Sequence, residues 1–587
     1  MSILLKSLAP LSLFFFFFFF FFTFGNSRLP KIPLILFFNG GEYEYYKAVH
    51  NPNEAIKHEK EYRGRWELVS ENSGVSAMHI IIMPNSNKAI MFDAAGFGPS
   101  EISLPAGDCR RVLDSRQEVE VYELDCWAHA VEFDIDTAAI RPLKILTDTW
   151  CSSGGLSANG TLVQTGGWDE GGRSVRYFNG CSSCDWEEYP ISLSGLRWFS
   201  TQHILPNGEF IVVGGRRMFN YEYVPKAGSF NKITYALSFL QETSDPVENN
   251  LYPFVFLSTD GNLLIFANNR SILLNPTTNK VVRELPVLDG GSRNYPASGM
   301  AALLPIKLND PNPNVIRAEI LVCGGADPRA GKFAEKGIYV TALQDCGRID
   351  ITNPKATWRK EMMPTPRIMG DMVILPTDDI LMINGAKEGT AGLNFAEDPN
   401  VTPVIYKPDN PITRRFMELK ETKIPRMYGS TSTLLPDGAV LVAGSNPNYY
   451  YNFTGVKYPT ELRVEKFYPP YFDPERVSDR AVIISNYMGG MVNYKQNFVI
   501  EFQVKKARVD LLDLKVTMYA PPFTTHGFSM GQRLLVLAIT ELKIVESELF
   551  QVEVAAPPTA EIAPPGFYLV FVVNVAVPSS GVWLQIA

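Results

Sequence analysis

The heptapeptide EFIVVGG (Glu209–Gly215) is one copy of the repeat that decides the fold of this chain. It is a short apolar strand that ends in a glycine-rich turn, and the sequence Leu-Pro-(Asn/Asp)-Gly often precedes it. The other copies read KAIMFDAAG (88–96), TLVQTGG (161–167), NLLIFAN (262–268), EILVCGG (319–325), DILMING (379–385) and AVLVAGS (439–445). From the second copy onward, successive copies start about 48 to 60 residues apart.

This period is typical of kelch-type β-propellers, in which each blade has four strands. Helical periodicity is nearly absent, and 42 prolines and 44 glycines separate short apolar runs, as in all-β proteins. Seven copies predict an all-β fold with a seven-bladed propeller over residues 75–466. Closure of such a ring would hide the last exposed sheet edge.

Beyond residue 466 the repeat stops, but β-type runs continue. They read AVIISN, NFVIEFQV, RLLVLAI, LFQVEVAA and FYLVFVVNVAV, with proline and glycine between them. This pattern predicts an Ig-like β-sandwich over residues 467–587. We therefore divide the chain into a leader (1–27), an N-terminal segment (28–74), the propeller and the sandwich.

The first 27 residues have the order of a secretory signal peptide. Lys6 precedes a mostly apolar run from Leu8 to Phe24, and Gly25, Asn26 and Ser27 follow it. An uncleaved membrane anchor is the alternative, since the run approaches the roughly 18–20 residues that cross a bilayer. Pro10 interrupts the run near its start, which favours the cleaved signal. We expect a secreted protein without a membrane span in the mature chain.

Composition restricts the class of partner. Hydrophobic residues make up 46% of the 587 residues and charged residues 20%, which is typical of folded domains. The formal net charge is −8, and no basic face is evident, so we expect no nucleic-acid partner.

Cysteines and sequons agree with export. Six of the seven cysteines form local couples: Cys109 with Cys126, Cys181 with Cys184, and Cys323 with Cys346. This spacing suits disulfides in an oxidising compartment, although the sequence does not prove the pairing and the Cys181/Cys184 loop is tight. Cys151 is left over. Four sequons would accept glycans in the secretory pathway: Asn159, Asn269, Asn400 and Asn452.

Four segments far apart carry a family resemblance: DTWCSSGG (148–155), RWFSTQH (197–203), PRMYGSTSTLLPDG (425–438) and PPFTTHGFSMGQR (521–533). Together they resemble the secreted copper radical oxidases, specifically the plant glyoxal oxidase-like (aldehyde oxidase) branch, which is related to galactose oxidase. The resemblance covers about residues 55–587. It implies a propeller followed by an Ig-like domain, and oxidation of a small aldehyde (RCHO + O₂ + H₂O to RCOOH + H₂O₂) with copper.

In the family, two tyrosines and two histidines hold the copper, and a thioether joins one tyrosine to a cysteine. The resemblance assigns these roles to Cys151, Tyr428 and His526, with Tyr428 also taking the substrate's hydroxyl proton. Phe199 stands where the cross-linked tyrosine is expected, and Gly429 where the first histidine is expected. Phenylalanine has no hydroxyl to ligate copper, to ionise or to hold a radical. We therefore expect a buried Cys151 thiol, no Cys–Tyr radical cofactor and doubtful copper binding.

Few other residues could complete this site. His203 lies on the same strand face as Phe199 but about 13 Å along the strand, too far to replace the missing ligand. Arg216 and Arg217 are expected near the pocket mouth, either to bind an anionic or hydroxylated ligand or as solvated ends of a blade. Cys181-Ser-Ser-Cys184 has no second pair at zinc spacing, and no serine-hydrolase elbow, phosphate loop or His-Glu-x-x-His motif occurs.

Two hypotheses follow. The first is a glyoxal or aldehyde oxidase of the extracellular space or cell wall, expected as a monomer. The second is a pseudoenzyme, a propeller kept to bind cell-wall glycan or protein. Phe199 and Gly429 favour the loss of family-type oxidation.

Overall fold

The structure is a computed structural model that describes residues 62–113, 122–310, 315–484, 490–505 and 509–587. The predicted signal peptide and most of the predicted N-terminal segment lie outside these residues. In the described ranges, no helix combines the length and apolar character needed to cross a membrane.

Short strands dominate the chain from its first described part to residue 284. They are β1 (Arg65–Ser70), β2 (His79–Ile82), β3 (Lys88–Phe92), β4 (Arg110–Leu113), β5 (Tyr122–Asp125), β6 (Ala130–Asp134), β7 (Ile140–Leu143), β8 (Ser153–Leu156), β9 (Leu162–Thr165), β10 (Val175–Phe178), β11 (Glu187–Tyr189), β12 (Thr201–Ile204), β13 (Phe210–Val213), β14 (Asn220–Tyr223), β15 (Tyr235–Ala236), β16 (Phe254–Leu257), β17 (Leu263–Ala267), β18 (Arg270–Asn275) and β19 (Lys280–Glu284).

The same pattern continues to residue 468. The strands are β20 (Met300–Leu303), β21 (Ile306–Lys307), β22 (Glu319–Cys323), β23 (Asp345–Asp350), β24 (Arg359–Met362), β25 (Asp371–Ile374), β26 (Ile380–Ile383), β27 (Ala386–Gly389), β28 (Ala396–Pro399), β29 (Val404–Tyr406), β30 (Phe416–Glu418), β31 (Ser430–Leu434), β32 (Val440–Gly444) and β33 (Val464–Tyr468).

The C-terminal part is also built of strands. They are β34 (Val482–Ile483), β35 (Met491–Val492), β36 (Asn497–Gln503), β37 (Leu514–Ala520), β38 (Phe523–Thr525), β39 (Phe528–Met530), β40 (Arg533–Val536), β41 (Ile539–Glu546), β42 (Leu549–Ala555), β43 (Gly566–Asn574), β44 (Val577–Pro578) and β45 (Val582–Ile586). The α-helices of the described residues are α1 (Ser238–Glu242) and α2 (Ala330–Ala334), and short 3₁₀ turns cover Ala95–Phe97, Asp169–Arg173, Ile412–Arg414, Pro470–Phe472 and Pro474–Asp479.

Up to residue 468, most of the described strands form seven antiparallel units of four strands each, while β4-β5 and β27-β28 are separate two-stranded sheets and β21 pairs with β40. In chain order of their first strands, the seven units are β2-β3-β6-β7, β8-β9-β10-β11, β12-β13-β14-β15, β16-β17-β18-β19, β20-β22-β23-β24, β25-β26-β29-β30 and β31-β32-β33-β1. Each copy of the sequence repeat supplies the second strand of one unit, as the pattern predicts. The all-β class is thus confirmed. No sheet of the described residues closes on itself, so the seven-bladed ring remains a prediction.

The last unit takes its fourth strand from the start of the described chain. Arg65 in β1 lies opposite Tyr468 in β33, in an antiparallel register. This pairing covers an edge that would otherwise be exposed, and it ties the N-terminal segment to residues near 468.

Apolar runs form the second strands because both faces of these strands are covered. Every residue of β13 and of β17 is buried, so the strands read as continuous apolar runs rather than as alternating ones. A buried ion pair holds the segment before β12 against β14, since Arg197 Nη2 lies 2.7 Å from Glu222 Oε1, and Arg197 Nη1 donates to the Gly214 carbonyl at 2.7 Å. Buried charges are tolerated when they are paired and hydrogen-bonded in this way.

The C-terminal strands form two sheets, and β21 of the preceding region joins one of them. One has the order β34-β36-β42-β41, and the other β21-β40-β37-β43-β45-β35 with β44 beside β43. The hairpin β38–β39 belongs to neither of them. It lies between first strands of two propeller-region units, with Thr525 opposite His79 of β2 and Phe528 opposite Ala301 of β20. His526 lies at the turn of this hairpin.

The cysteine couples are confirmed. Disulfides join Cys109 to Cys126, Cys181 to Cys184, and Cys323 to Cys346. Cys151 is the free cysteine, and it is buried as predicted.

The sequons differ in accessibility. Asn159 is exposed, while Asn269 and Asn452 are half-buried. Asn400 is 3% exposed, and its Nδ2 donates to Thr365 Oγ1 at 3.0 Å and to the Pro366 carbonyl at 3.1 Å. A glycan on Asn400 would replace an Nδ2 hydrogen that these bonds use. The folded chain therefore disfavours this acceptor, which the sequence motif alone had suggested.

Candidate active site

Six of the seven units place one residue in the left-handed backbone region just before their first strand. We call these six positions the inner ring: Cys151 (φ 54°), Phe199 (62°), Tyr252 (47°), Ser298 (41°), Met369 (55°) and Gly429 (72°). Main-chain hydrogen bonds join some of the neighbouring members. The N–H of Phe199 donates to the Cys151 carbonyl at 3.0 Å, and the N–H of Tyr252 donates to the Phe199 carbonyl at 2.9 Å.

The inner ring thus gives the predicted site a structural basis. Cys151, Phe199 and Gly429, which the sequence motifs selected from three separate segments, are equivalent positions of the repeat. Non-glycine residues rarely adopt this conformation, and its recurrence in successive units indicates that the architecture imposes it.

His526 reaches the inner ring from the hairpin β38–β39. The turn residues His526 and Gly527 have φ values of 49° and 79°, which is the conformation of a two-residue type I′ hairpin turn. The Nε2 atom of His526 lies 3.3 Å from the Cys151 sulfur. Its ring centroid lies 5.4 Å from that of Tyr428. The structure therefore brings together Cys151, Tyr428 and His526, three residues from widely separated motifs.

Hydrogen bonding fixes the tautomer of His526. The Thr525 hydroxyl donates its single hydrogen to the Met78 carbonyl at 3.0 Å. At the same time, Thr525 Oγ1 lies 2.6 Å from His526 Nδ1. Since the hydroxyl hydrogen is already used, Nδ1 carries the proton and donates it to Oγ1. The lone pair of Nε2 therefore faces the Cys151 sulfur.

Phe199 fills the position next to Cys151 with a hydrocarbon ring. It is 4% exposed and stacks on Tyr295, with centroids 4.4 Å apart and an interplanar angle of 28°. Trp198 packs on it with a centroid distance of 4.5 Å. The ring is held by packing alone and offers no oxygen atom.

Gly429 leaves space where a side chain could stand. A Cβ atom built there would be 3.6 Å from Met78 Cε and 3.7 Å from the Asn446 backbone nitrogen, both ordinary contacts. In the described residues, no three His, Cys, Asp or Glu side chains are grouped so that they could hold a metal ion.

The ionisable groups of the site are neutral. Burial raises the pKa of the Cys151 thiol and that of the Tyr428 phenol well above their usual values. Burial lowers the pKa of His526 well below its usual value, and the neighbouring His79 adds to this shift. With its pKa raised in this way, Tyr428 is a protonated phenol at neutral pH.

The remaining predicted residues lie in different surroundings. His203 is buried with Nδ1 2.6 Å from the Ile204 carbonyl, and burial lowers its pKa to about 4. Arg216 lies over the Trp198 ring, 5.3 Å from its centroid, and its Nε is 2.9 Å from Glu248. Arg217 is 78% exposed. Arg216 thus packs on Trp198, which in turn packs on Phe199. The side chain of Arg217 is exposed to solvent.

Three aromatic residues of the site were missed by the sequence analysis. Tyr295 has its hydroxyl 3.4 Å from that of Tyr428, and Tyr252 and His79 have ring centroids 5.0 and 6.2 Å from His526. Tyr252 holds the same place in its repeat as Phe199, so aligning the repeats would have found it. Tyr295 and His79 belong to no motif, and only the packing brings them here.

Two family models match most of the described chain. Residues 78–471 match the family model of the glyoxal oxidase N-terminus, and residues 480–586 match that of the galactose oxidase-like early set domain. A fungal alcohol oxidase of the AA5 family, solved in complex with copper, superimposes with a TM-score of 0.68 at 16% identity, covering 89% of this chain and 100% of its own.

Plant proteins are among the relatives. Aldehyde oxidase GLOX1 of Arabidopsis thaliana is 51% identical over 90% of this chain and 85% of its own length. A putative aldehyde oxidase of Artemisia annua is 43% identical (90% and 89%), and aldehyde oxidase GLOX of Vitis pseudoreticulata is 42% identical (89% and 97%). The chain therefore belongs to the glyoxal oxidase family of copper radical oxidases.

Proposed function

We propose that this chain is a secreted member of the glyoxal oxidase family in which radical oxidation of aldehydes is lost or reduced by several orders of magnitude. The observation that carries this proposal is Phe199, packed against Trp198 and Tyr295 in the position next to Cys151. A thioether-linked radical needs a phenol ring, because the hydroxyl lowers the potential for one-electron oxidation and binds the metal.

The residues do not fit the copper-radical group of the family. Of its two tyrosine and two histidine ligands, only Tyr428 and His526 have counterparts, since Phe199 lacks an oxygen and Gly429 lacks a side chain. His79 is no substitute. Its Nε2 lies 3.4 Å from Ser152 Oγ, and its Nδ1 lies 3.2 Å from the Phe92 carbonyl. We therefore route no oxidation step through this site.

The scaffold around the site is that of the family. We infer that the seven four-stranded units are the blades of a propeller over residues 75–466, and that residues 467–587 form the Ig-like domain. The inner-ring hydrogen bonds and the hairpin between β2 and β20 support this arrangement. Relatives named aldehyde oxidases make a small aldehyde the first ligand to test, and a monomer is the expected state.

Binding without oxidation is the second candidate function. Trp168 is 41% exposed and packs on Trp198 with centroids 4.1 Å apart, and Arg216 lies over the same ring. Exposed aromatic faces with a guanidinium beside them suit hydroxylated rings such as those of cell-wall glycans. This cluster favours retention of a binding surface.

Peroxide release tests the proposal. The secreted chain, loaded with Cu²⁺, is given glyoxal or methylglyoxal, and peroxide is measured beside Phe199→Tyr, Gly429→His and the double variant. We expect activity only in the double variant, with each single change as the matched control. The proposal is wrong if the natural chain turns over like its relatives, or if the Cys151 peptide has lost two hydrogens. Release of a glycosidase-sensitive chain into the medium tests secretion.

A further inference from the structure

We propose that the chain binds one chloride ion in a small cavity beside the guanidinium of Arg533. The cavity lies between residues of the first strands β8 and β12 and residues of the C-terminal part. The proposal goes beyond the proposed function, because it concerns an ion site that Cys151, Tyr428 and His526 do not line. Three observations support it: a buried cation without a carboxylate partner, the size of the cavity and the charge of its lining.

Arg533 is an exception among the buried arginines of the described residues. Most of them form an ion pair with a carboxylate, and these are Arg110, Arg176, Arg197, Arg293, Arg348, Arg426 and Arg476. Arg367 and Arg533 are 1% and 2% exposed, and neither forms an ion pair with a described carboxylate. Of these two, Arg533 lines the cavity.

The hydrogen bonds of Arg533 leave its charge without a counter-ion. Its Nη1 donates to the Ile562 carbonyl at 2.9 Å, and its Nη2 donates to the Leu257 carbonyl. Both acceptors are neutral main-chain groups. Burial lowers the pKa of Arg533 to about 10, so the side chain is still a cation at neutral pH. A buried charge is costly unless an opposite charge pairs with it.

The cavity has the size of a small ion. Its volume is about 50 Å³, and a buried water molecule needs about 10–15 Å³. One ion with one or two water molecules therefore fits, whereas a sugar or a phosphate ester does not. Besides Arg533, the polar side chains of the lining are those of Gln202, His203 and Tyr568.

The lining also determines the charge of the ligand. None of the described residues around the cavity is acidic, and Arg533 and His203 are its basic residues. His203 supplies no second positive charge, because its Nδ1 donates to the Ile204 carbonyl at 2.6 Å and burial lowers its pKa to about 4. A single monovalent anion therefore balances the single cation, while a multiply charged anion would leave an excess of buried charge. Chloride meets both the size and the charge requirement.

The chloride dependence of the melting temperature tests the site. The secreted chain is titrated with sodium chloride at constant ionic strength, and sodium gluconate, whose anion is too large for the cavity, is the replacement salt. An ion that binds the folded chain and not the unfolded chain stabilises the fold. We expect a saturable rise of about 2–4 °C. Crystals of the natural chain soaked in bromide should show an anomalous peak in contact with Arg533.

Arg367→Met is the matched control for Arg533→Met, because each change removes a buried guanidinium that donates to two main-chain carbonyls. Both variants should melt at a lower temperature than the natural chain, but only Arg533→Met should lose the response to chloride. The inference is overturned if the natural chain responds to ionic strength alone, if no bromide peak adjoins Arg533, or if Arg533→Met keeps the full response. Should Arg533→Met fail to fold, the bromide peak in the natural chain decides.

Discussion

Gly429 stands where the family has a histidine, and the ability of this position to carry a side chain can be tested. Gly429 and Gly324 have nearly the same backbone conformation, with φ values of 72° and 66°. They differ in the free space around a Cβ atom built on each residue. A Cβ atom at Gly429 meets nothing closer than 3.6 Å, whereas at Gly324 it would be 2.0 Å from the Arg367 carbonyl oxygen. The pair Gly429→Ala and Gly324→Ala therefore separates backbone strain from steric overlap.

The two costs are of different size. A left-handed conformation in an L-residue costs about 1–2 kcal/mol, and this is the whole penalty expected for Gly429→Ala. Gly324→Ala adds an overlap that only movement of the Arg367 carbonyl can relieve. That oxygen accepts the N–H of Gly325 at 3.1 Å, so a hydrogen bond is strained as well. Losses of stability above about 4 kcal/mol are exceptional for single substitutions, and overpacking combined with backbone strain is among the mechanisms that produce them.

The assay is chemical denaturation of both variants under identical conditions, followed by intrinsic fluorescence and circular dichroism. The Gly429→Ala variant should lose a small part of the free energy of unfolding. The Gly324→Ala variant should lose most of the free energy of unfolding, or should be insoluble. Equal losses would refute the reasoning, because they would mean that the Gly429 position is closed to side chains. The double variant of the peroxide assay depends on this point, since histidine must fit where glycine now stands.

Three further perturbations follow from buried groups. Arg197→Met should cost about 3–5 kcal/mol in the free energy of unfolding, because it leaves the Glu222 carboxylate buried without its partner. Burial raises the pKa of Asp371 to about 7, so the folded state keeps a proton that the unfolded chain releases near pH 4. This group should lower stability by up to about 4 kcal/mol between about pH 4 and 7, and Asp371→Asn should remove that slope. Replacing Cys323 and Cys346 by alanine should cost about 3 kcal/mol, given a sequence separation of 23 residues.

Each of these three predictions can be contradicted by a specific result, and the first also has a control variant. Arg329→Met removes an exposed pair with Asp327 and should change stability by less than about 1 kcal/mol. Equal losses for Arg197 and Arg329 would contradict the first prediction. A pH profile of Asp371→Asn parallel to that of the natural chain would contradict the second. Unchanged denaturation midpoints in the double alanine variant would contradict the third.

The repeat was the most predictable part of the molecule. Each apolar run with its glycine turn is local, so the second strands, such as β9 at Leu162–Thr165 and β32 at Val440–Gly444, could be located from sequence alone. The pairing of β1 with β33 could not, because it joins residues about 400 positions apart and no local signal sets its register. The parallel contact of β21 with β40 was missed for the same reason.

The site was predictable where it rests on motifs and unpredictable where it rests on packing. Cys151, Phe199 and His526 were found because each lies in a recognisable segment. Tyr295 and His79 were missed, because their place beside His526 depends on how separate units pack. Their contribution is large, since Tyr295 covers one face of Phe199 and bonds to the Tyr428 hydroxyl.

The inner ring explains how this protein can keep the fold of its family while the oxidase chemistry is lost. Main-chain N–H and C=O groups tie Phe199 to Cys151, Tyr252 to Phe199 and Met369 to Ser298. Such bonds are the same for any side chain, so phenylalanine in place of tyrosine at position 199 removes an oxygen without disturbing them, and Gly429 keeps the left-handed conformation of the other five positions. A likeness in fold, even a close one, therefore carries no information about whether the oxidase reaction survives. The identity of the side chains at Phe199 and Gly429 carries that information, and reverting these two positions is the decisive experiment.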